Sequence, residues 1–317
     1  MSVESRMEAV PSPDSTMPAF ERAWWAKHGL EPRQTFVEIG TPKARLRVLD
    51  VGEGDPIVFI HGTAGSAPVW APLVARLEGY RCLMLDRPGW APSSSIDFSS
   101  SSYQDVVTRV LEGVLADLGI DRAHLIGASI GDLWALRFAQ ARPERVDRVV
   151  LMGGGPLFYE NEVPKIIRVI ASPLGAVMTR LPEKRSQLRS ISRANGHGAS
   201  LDAGRMDDFL EWREALGRDA HPMRNERDMV RAIVDWRKGS FTPSLRLNEA
   251  ELRAITIPTL MVYGSEDPVG SVDVWIRFTG LLPDAKLVTL DGFGHVPWLD
   301  DPDPVAAVLR RFLGAGT

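Results

Sequence analysis

The chain is poor in the residues that would build a disulfide framework or a cysteine-rich metal site. It has one cysteine, Cys82, among 317 residues, so no internal disulfide can form and no cysteine cluster is available for a metal ion. Cys82 lies in the strand-like apolar run 80–85. A thiol in such a run usually behaves as a small buried hydrophobic group. We therefore expect Cys82 to be structural and not a nucleophile.

Long runs of one charge and long apolar runs are also missing. The 37 Lys and Arg residues are balanced by 41 Asp and Glu residues, and without a long basic run nucleic-acid binding has no electrostatic support. The longest apolar stretch, 166–178, is interrupted by Arg168 and Pro173 and is too short to span a bilayer. The N-terminal residues lack the cationic start and apolar core of a signal peptide. We expect no nucleic-acid partner, no membrane span and a cytoplasmic location.

What is present is an alternation of strand-like and helix-like segments, which is typical of a mainly parallel sheet covered by helices on both faces. Two segments of alternating polarity, 35–39 and 45–49, predict an antiparallel pair at one sheet edge. The later predicted strands are 56–60, 81–85, 124–128, 148–152, 259–263 and 286–290. The predicted helices between and after them are 69–77, 103–118, 130–140, 272–279 and 304–313.

This alternation stops in the middle of the chain, which divides the sequence into parts. Between residues 155 and 254 only helical patterns are evident, at 163–170, 207–216 and 229–236. The sequence therefore predicts a helical cap over 155–254 and a core formed by 35–154 together with 255–317. Residues 1–34 are expected to form an N-terminal extension, with a short helix whose tryptophans pack on the body or on a partner chain.

Residues 127–131 read Gly-Ala-Ser-Ile-Gly and lie between a predicted strand and a predicted helix. A Gly-x-Ser-x-Gly turn holds its serine in a strained, exposed position, and the glycines are needed because a Cβ would clash with the tightly turned backbone. The N-terminus of the following helix favours negative charge that develops nearby. Ser129 is therefore the candidate nucleophile, and it needs a base within hydrogen-bond reach.

Three other loops follow predicted strands and carry polar groups. Residues 61–65 read His-Gly-Thr-Ala-Gly, residues 264–268 read Gly-Ser-Glu-Asp-Pro, and residues 292–295 read Gly-Phe-Gly-His. Of the six histidines, His295 alone follows a strand near the C-terminus. This placement makes His295 the candidate base.

The chain order Ser129, Asp267, His295 is that of the catalytic triad in the α/β-hydrolase fold. Together with the His-Gly loop, it means that residues 35 to 315 resemble the α/β-hydrolase superfamily, and specifically its capped serine hydrolases and esterases. The resemblance implies an α/β fold with a mostly parallel eight-stranded sheet, flanking helices and an inserted helical cap. It also favours Asp267 over its neighbour Glu266 as the carboxylate that orients the histidine.

The resemblance implies further roles around the nucleophile. The backbone N–H groups of Thr63 and Ile130 would form the oxyanion hole, and each such donor typically contributes about 3 kcal/mol to transition-state stabilisation. Trp298 and Trp90 are candidate substrate-binding residues. Asp132 stands where relatives often have a small residue. We expect it to stabilise the first turn of its helix, with a position facing the pocket as the alternative.

An apolar roof for the pocket is expected from the cap. Its candidates are Phe158, Ile166, Ile167, Ile170, Leu174, Met178 and Leu181. These side chains could equally pack the cap onto the sheet.

The function predicted first is hydrolysis of a small, mostly uncharged, hydrophobic carboxylic ester or lactone through an acyl-enzyme, without cofactor or metal ion. Four alternatives remain open. They are hydrolysis of a carbon–carbon bond in a diketone-type aromatic breakdown product, cofactor-free perhydrolysis, hydrolysis of an amide, and ligand sensing with slow turnover. A small hydrophobic substrate is the expected partner, and a homodimer is possible.

Overall fold

A computed structural model describes residues 17–63, 65–90, 92–98, 102–160, 163, 165–178, 183–219 and 222–314 of the chain. Its largest feature is one eight-stranded sheet with the strand order β1-β2-β4-β3-β5-β6-β9-β10. The ten strands are β1 (Arg33–Gly40), β2 (Lys43–Val51), β3 (Asp55–Ile60), β4 (Tyr80–Leu85), β5 (Ala123–Ala128), β6 (Val146–Met152), β7 (Val234–Asp235), β8 (Ser240–Phe241), β9 (Thr259–Gly264) and β10 (Ala285–Leu290).

The sheet has the predicted mixed character. Strand β2 is antiparallel to both β1 and β4, while all other neighbouring pairs in the large sheet are parallel. Parallel strands are covered on both faces, and β5 is accordingly buried along its whole length. The predicted fold class, a mostly parallel eight-stranded sheet flanked by helices, is therefore confirmed.

The α-helices cover both faces of the sheet and fill the middle of the chain. They are α1 (Ala19–Lys27), α2 (Ala71–Val74), α3 (Tyr103–Asp117), α4 (Ile130–Ala141), α5 (Gly155–Glu160), α6 (Lys165–Ala171), α7 (Gly175–Met178), α8 (Arg185–Ala194), α9 (Gly198–Asp202), α10 (Asp207–Asp219), α11 (Pro222–Ile233), α12 (Glu249–Arg253), α13 (Val272–Thr279), α14 (Pro297–Asp300) and α15 (Pro302–Leu313). Among the residues that the structure describes, none of these helices is long and apolar enough to cross a membrane.

Helix α3 shows how the sequence positions these layers. The hydroxyl of Ser102 accepts a hydrogen bond of 3.1 Å from the backbone N–H of Asp105, which caps the first turn. The helix ends before Gly119, whose φ of 65° suits a left-handed helix terminus. Between the two ends, apolar residues at helical spacing lie on the buried face: Val106, Val107, Val110, Leu111, Val114 and Leu115.

The segment between β6 and β9 is mainly helical, with one difference from the sequence prediction. The helix predicted over 229–236 ends at Ile233, and β7 then pairs with β8 in a two-stranded hairpin, with Val234 opposite Phe241. Gly239, at φ 69°, closes the turn of this hairpin. The apolar pattern continues through Val234 and Trp236, so periodicity alone gave no sign that the helix ends before the hairpin.

Helix α1 of the N-terminal segment packs on the body of the same chain. Trp25 is fully buried, and Nε1 of Trp24 donates a 2.7 Å hydrogen bond to the carbonyl oxygen of Pro68. The ring of Trp24 also stacks on Trp212 of α10, with centroids 5.5 Å apart. Helix α1 therefore contacts the loop after β3 and the helical segment at the same time.

Candidate active site

Ser129 occupies the sharp turn between β5 and α4. Its φ of 54° and ψ of −118° make it the one residue other than glycine with a positive φ in the described part of the chain. Such backbone strain is commonly stored at functional sites. The backbone N–H of Ser129 donates a 2.8 Å hydrogen bond to the carbonyl oxygen of Met152, which ties the turn to the end of β6.

The two glycines of the turn are required by close contact. A Cβ on Gly131 would lie 2.0 Å from the carbonyl oxygen of Ile60, and a Cβ on Gly127 would lie 2.6 Å from the backbone nitrogen of Asp132. Both distances are below any that real Cβ atoms adopt, and both neighbours are backbone atoms that cannot rotate away. The structure thus agrees with the steric reason for the Gly-x-Ser-x-Gly pattern.

His295 and Asp267 are brought together from the loops after β10 and β9. Nδ1 of His295 lies 3.0 Å from each carboxylate oxygen of Asp267. The Asp267 side chain is 1% exposed and also accepts a 2.8 Å hydrogen bond from the N–H of Val269, whereas Glu266 is exposed. The structure therefore places Asp267, and not Glu266, against the ring. Because Asp267 engages Nδ1, Nε2 is the ring nitrogen of His295 that is available to a reacting group.

The protonation of His295 is controlled by this surrounding. Burial by itself would lower the pKa of His295, but the charge of Asp267, its hydrogen bond to the ring and the charge of Asp132 outweigh burial and raise that pKa. A raised pKa means that the ring takes up a proton more readily than a free imidazole does. This property suits a group that accepts a proton from a serine hydroxyl.

Thr63 and Ile130 lie with Ser129 on the wall of one cavity. Among the residues that the structure describes, none accepts a hydrogen bond from the backbone N–H of Thr63 or of Ile130. The loop that carries Thr63 approaches the nucleophile closely, because a Cβ on Gly62 would lie 2.9 Å from the Cβ of Ser129. The arrangement has the two donors that an oxyanion hole needs.

His61 has a structural role inside the same loop. Its Nδ1 lies 2.9 Å from the carbonyl oxygen of Gly62, and its Nε2 accepts a 3.1 Å hydrogen bond from the N–H of Arg87. Burial lowers the pKa of His61 well below its ordinary value, so the ring is neutral. With both ring nitrogens engaged, His61 is not a second base.

The cavity that Ser129 and His295 line has a volume of about 480 Å³ and lies between the sheet and the helical segment. Phe158, Ile167 and Ile170 of the expected roof line it, whereas Leu174 and Met178 are exposed. The side chain of Ile166 and all of Leu181 fall outside the described residues. Other residues of the helical segment that were not predicted also line the cavity: Leu188, Ile191, Met206, Phe209, Ile233 and Phe241.

The two tryptophans proposed for substrate binding have different positions. Trp298 lines the cavity, stacks on Trp70 with ring centroids 4.1 Å apart, and donates from Nε1 to the carbonyl oxygen of Val69 at 2.9 Å. Trp90 is not among the described residues of the cavity wall. It is buried edge-on against His61, with centroids 5.3 Å apart, so the structure gives it a packing role.

Asp132 lies in the first turn of α4, as expected, but its carboxylate neither caps that helix nor faces the cavity. Instead, Oδ1 accepts from the N–H of Met152 at 3.0 Å, and Oδ2 accepts from the N–H groups of Gly154 at 2.7 Å and Gly155 at 3.0 Å. The segment that joins β6 to α5 therefore binds the carboxylate, and helical spacing in the sequence cannot reveal such a contact.

A contact between the helical segment and the histidine loop, residues 291–296, was also not predicted. The N–H of His295 donates to the carbonyl oxygen of Asn195 at 2.9 Å, and the N–H of Val296 donates to Nε2 of His197 at 3.3 Å. Nδ1 of His197 in turn lies 2.8 Å from Oδ2 of the buried Asp300. His197 carries no local motif, so the signal for its role exists only in three dimensions.

Charged side chains of the helical segment also line the cavity. Arg213 and Glu183 both line it and form an ion pair with 2.5 Å between Nη2 and Oε2. Lys165 contributes a second cationic side chain. Among the described residues, no group of three or more His, Cys, Asp or Glu side chains is arranged to hold a metal ion.

The fold and the geometry of this site are shared by one family of proteins, which comparison with known proteins identifies. The sequence matches the alpha/beta hydrolase fold family over residues 55–302, so the chain belongs to that family and is a hydrolase. The structure is similar to the 2-hydroxy-6-oxo-6-phenylhexa-2,4-dienoate hydrolase of Rhodococcus sp. strain RHA1. Their TM-score is 0.71 at 21% sequence identity, and the match covers 89% of this chain and 99% of that one.

Sequence relatives narrow the comparison. The chain is 39% identical over 298 residues to a 2-hydroxy-6-oxononadienedioate/2-hydroxy-6-oxononatrienedioate hydrolase of Klebsiella pneumoniae, a match that covers 87% of this chain and 93% of the relative. A protein of the same description from Paraburkholderia phymatum is 31% identical over 283 residues, again covering 87% and 93%.

These relatives contradict the predicted ester or lactone substrate. The compounds in their names contain carboxylates, an enol and a ketone but no ester bond, so their hydrolysis must break a carbon–carbon bond. The prediction of an ester hydrolase was therefore wrong, and the alternative of carbon–carbon bond hydrolysis agrees better with the relatives. The pentapeptide and triad could not separate the two, because the same groups attack any carbonyl carbon.

Proposed function

We propose that this hydrolase cleaves the carbon–carbon bond beside the ketone of a small 2-hydroxy-6-oxodienoate acid, with Ser129 as nucleophile, His295 as base and Asp267 as its orienting carboxylate. The observation that carries the proposal is that relatives aligned with nearly nine-tenths of the chain are hydrolases of such acids. The hydrogen-bonded His295–Asp267 pair and Ser129, lining one cavity with His295, supply the chemical groups.

The reaction balances with these residues alone. The Ser129 hydroxyl adds to the ketone carbon, His295 takes its proton, and the N–H groups of Thr63 and Ile130 bind the oxyanion. The bond between C5 and C6 breaks in the keto form of the substrate, which arises when the proton of the 2-hydroxyl group moves to C5. The electron pair of the broken bond is delocalised to the C2 oxygen. The proton on His295 passes to the departing fragment. Water activated by His295 finally hydrolyses the acyl group on Ser129 to a carboxylic acid.

The cavity supports a substrate with one apolar part and one charged part. Its volume of about 480 Å³ lies in the range typical of small-molecule sites. Phe158, Ile170 and Trp298 offer apolar surface for the ketone substituent. Lys165 places positive charge on the cap side of the wall, and the guanidinium of Arg213 lies there in its pair with Glu183. We assign the carboxylate end of the substrate to that side.

The domain division is part of this proposal. We propose residues 155–254 as a cap that closes the site, residues 35–154 and 255–317 as the catalytic core, and residues 1–34 as an extension, of which 1–16 lie outside the described part. The support is that the cavity takes its wall from both the sheet loops and the helical segment. Formation of a homodimer stays a prediction.

The test is turnover of two defined acids, 2-hydroxy-6-oxononadienedioate and 2-hydroxy-6-oxo-6-phenylhexa-2,4-dienoate. Cleavage shortens the conjugated system, so loss of the coloured dienolate can be followed by visible absorbance. Mass spectrometry in ¹⁸O-labelled water then shows whether the acid fragment carries the solvent oxygen. We expect many turnovers for at least one acid and loss of turnover in Ser129→Ala.

A matched control is Ser190→Ala, because Ser190 is exposed on α8 and, among the described residues, its hydroxyl bonds only to the carbonyl oxygen of Ser186 in its own helix. This variant should retain the wild-type rate. If the folded wild-type protein leaves both acids intact, or if Ser129→Ala cleaves them as fast as the wild type does, the proposed function is refuted.

A further inference from the structure

The structure shows an unusual environment for the carboxylate of Asp132. It is completely buried directly behind the nucleophile turn, and the carboxylate oxygens accept three backbone N–H bonds from a single segment, 152–155. A buried carboxylate is costly unless its lone pairs are satisfied. The three bonds satisfy them, so Asp132 holds segment 152–155 in one conformation.

Segment 152–155 contacts Ser129 on one side. The carbonyl oxygen of Met152 accepts the N–H of Ser129 at 2.8 Å. A Cβ on Gly154 would lie 2.0 Å from the carbonyl oxygen of Ser129, so the two backbones are packed without a gap. The strained conformation of Ser129 therefore depends on where this segment lies.

The same segment contacts His295 on the other side. Gly153 adopts a φ of 87°, and a Cβ there would lie 2.8 Å from both Cε1 and Nδ1 of the His295 ring. Residues 152–155 thus lie between Ser129 and His295, and the side chain of Asp132 holds this segment in place. A shift of the segment would change the position of Ser129 and of His295 together.

We propose that Asp132 is a positioning residue, which sets the distance between Ser129 and His295 through segment 152–155 and supplies a second negative charge, besides Asp267, that favours protonated His295. The proposal rests on the roles given to Ser129 and His295 in the proposed function. Asp132 does not line the cavity, so its effect on the reaction must pass through these two residues.

The charged groups near His295 agree with the role proposed for Asp132. The charged groups that act on His295 are Asp267 and Asp132, and both raise its pKa. Burial raises the pKa of Asp132 to about 7, against its three backbone hydrogen bonds and the charge of His295, all of which lower it. The charge of each group therefore shifts the pKa of the other, lowering that of Asp132 and raising that of His295.

The test uses Asp132→Asn, with Asp147→Asn as the matched control. The asparagine introduced by the first variant keeps the size of the side chain but removes the charge, and its amide nitrogen cannot accept a bond from an N–H group. Asp147 lies on the same strand as Met152 but pairs with the exposed Arg122 at 2.7 Å. The control removes the same charge without touching segment 152–155.

The first readout needs no substrate. The pKa of His295 is measured by NMR titration of its ring, assigned with His295→Gln. We expect a lower pKa in Asp132→Asn than in the wild type, and no change in Asp147→Asn. An unchanged pKa in folded Asp132→Asn overturns the electrostatic part of the proposal, whether or not any dienoate is a substrate.

The second readout is kinetic. We expect kcat of Asp132→Asn to fall by about ten- to a hundredfold, since small misplacements of reacting groups cost that much. KM should change by less than about threefold, because Asp132 does not line the cavity. The acid limb of kcat/KM should move to lower pH. An unchanged kcat overturns the positioning role, whereas a wild-type protein without turnover refutes the proposed function instead.

If Asp132→Asn does not fold, the wild-type titration still decides. Coupled titration of Asp132 and His295 should make the His295 resonance deviate from a one-site curve. A simple one-site curve for His295 would contradict the proposal.

Discussion

Replacing Asp267 by asparagine should abolish most of the activity while leaving the site in place. The N–H of Val269 donates to Oδ1 of Asp267 at 2.8 Å, so the amide oxygen of the variant should keep that position. The amide nitrogen then takes the place of Oδ2 at 3.0 Å from Nδ1 of His295, the same distance as the amide oxygen, so a donor and an acceptor compete for that ring nitrogen. A donor at that point favours the tautomer with its proton on Nε2, which cannot accept a proton from Ser129.

The size of the loss follows from the tautomer. In a serine protease triad the equivalent change lowers kcat by about 10⁴ with intact geometry. At 1.36 kcal/mol for each factor of ten, this corresponds to about 5 kcal/mol of transition-state stabilisation. The assay is kcat of Asp267→Asn with a cleaved dienoate, and Glu266→Gln serves as the control, because that adjacent carboxylate is exposed. The reasoning is refuted if Asp267→Asn stays within tenfold of the wild type, or if Glu266→Gln loses as much.

Three further predictions concern packing, pH and charge. Gly131→Ala should lower stability by about 1–3 kcal/mol, seen as a lower thermal midpoint, since its Cβ would meet the carbonyl oxygen of Ile60; an unchanged midpoint would speak against that contact. Activity should fall as pH drops through the raised pKa of His295, so the acid limb of kcat/KM should lie above the ordinary histidine pKa of 6.5. An acid limb below 6.5 would contradict the charge effect of the neighbouring carboxylates. Arg213→Gln leaves Glu183 as an unpaired negative charge at the cavity, so KM should rise by about tenfold or more for both acids, because both carry the dienoate carboxylate. An unchanged KM for either acid would refute the assignment of the carboxylate end.

The parts of the fold that were predictable are those with a local cause. The strand ends, the turn around Ser129 and the loop of His295 depend on apolar runs and glycines next to them in sequence. Helix 272–279 was predicted with the bounds that the structure has, and β3, β5 and β9 were predicted to within a residue at each end. The strand order β4-β3-β5 needs the pairing of distant segments, which periodicity does not contain.

The parts of the site that escaped prediction depend on long-range contacts. Asp132 bonds to residues 20 to 23 positions away, and His197 to a residue 103 positions away, so no spacing rule applies to either. Trp90 packs against His61 of the His-Gly loop, and it does not line the cavity. The type of bond that is cleaved was not predicted for a different reason. The triad determines how a carbonyl carbon is attacked, whereas the group that leaves is selected by the cavity and by the electronic structure of the substrate.

The hydrogen bonds between the cap and the histidine loop link opening of the cap to loss of the base. Asn195 accepts the N–H of His295, and His197 accepts the next N–H along the chain. If this part of the cap moves away from the sheet, both bonds must break and the histidine loop loses its support. A ligand that holds the cap open at this point would therefore bind without being hydrolysed. A reaction intermediate that holds the cap closed would instead keep His295 in place until the acid product is released.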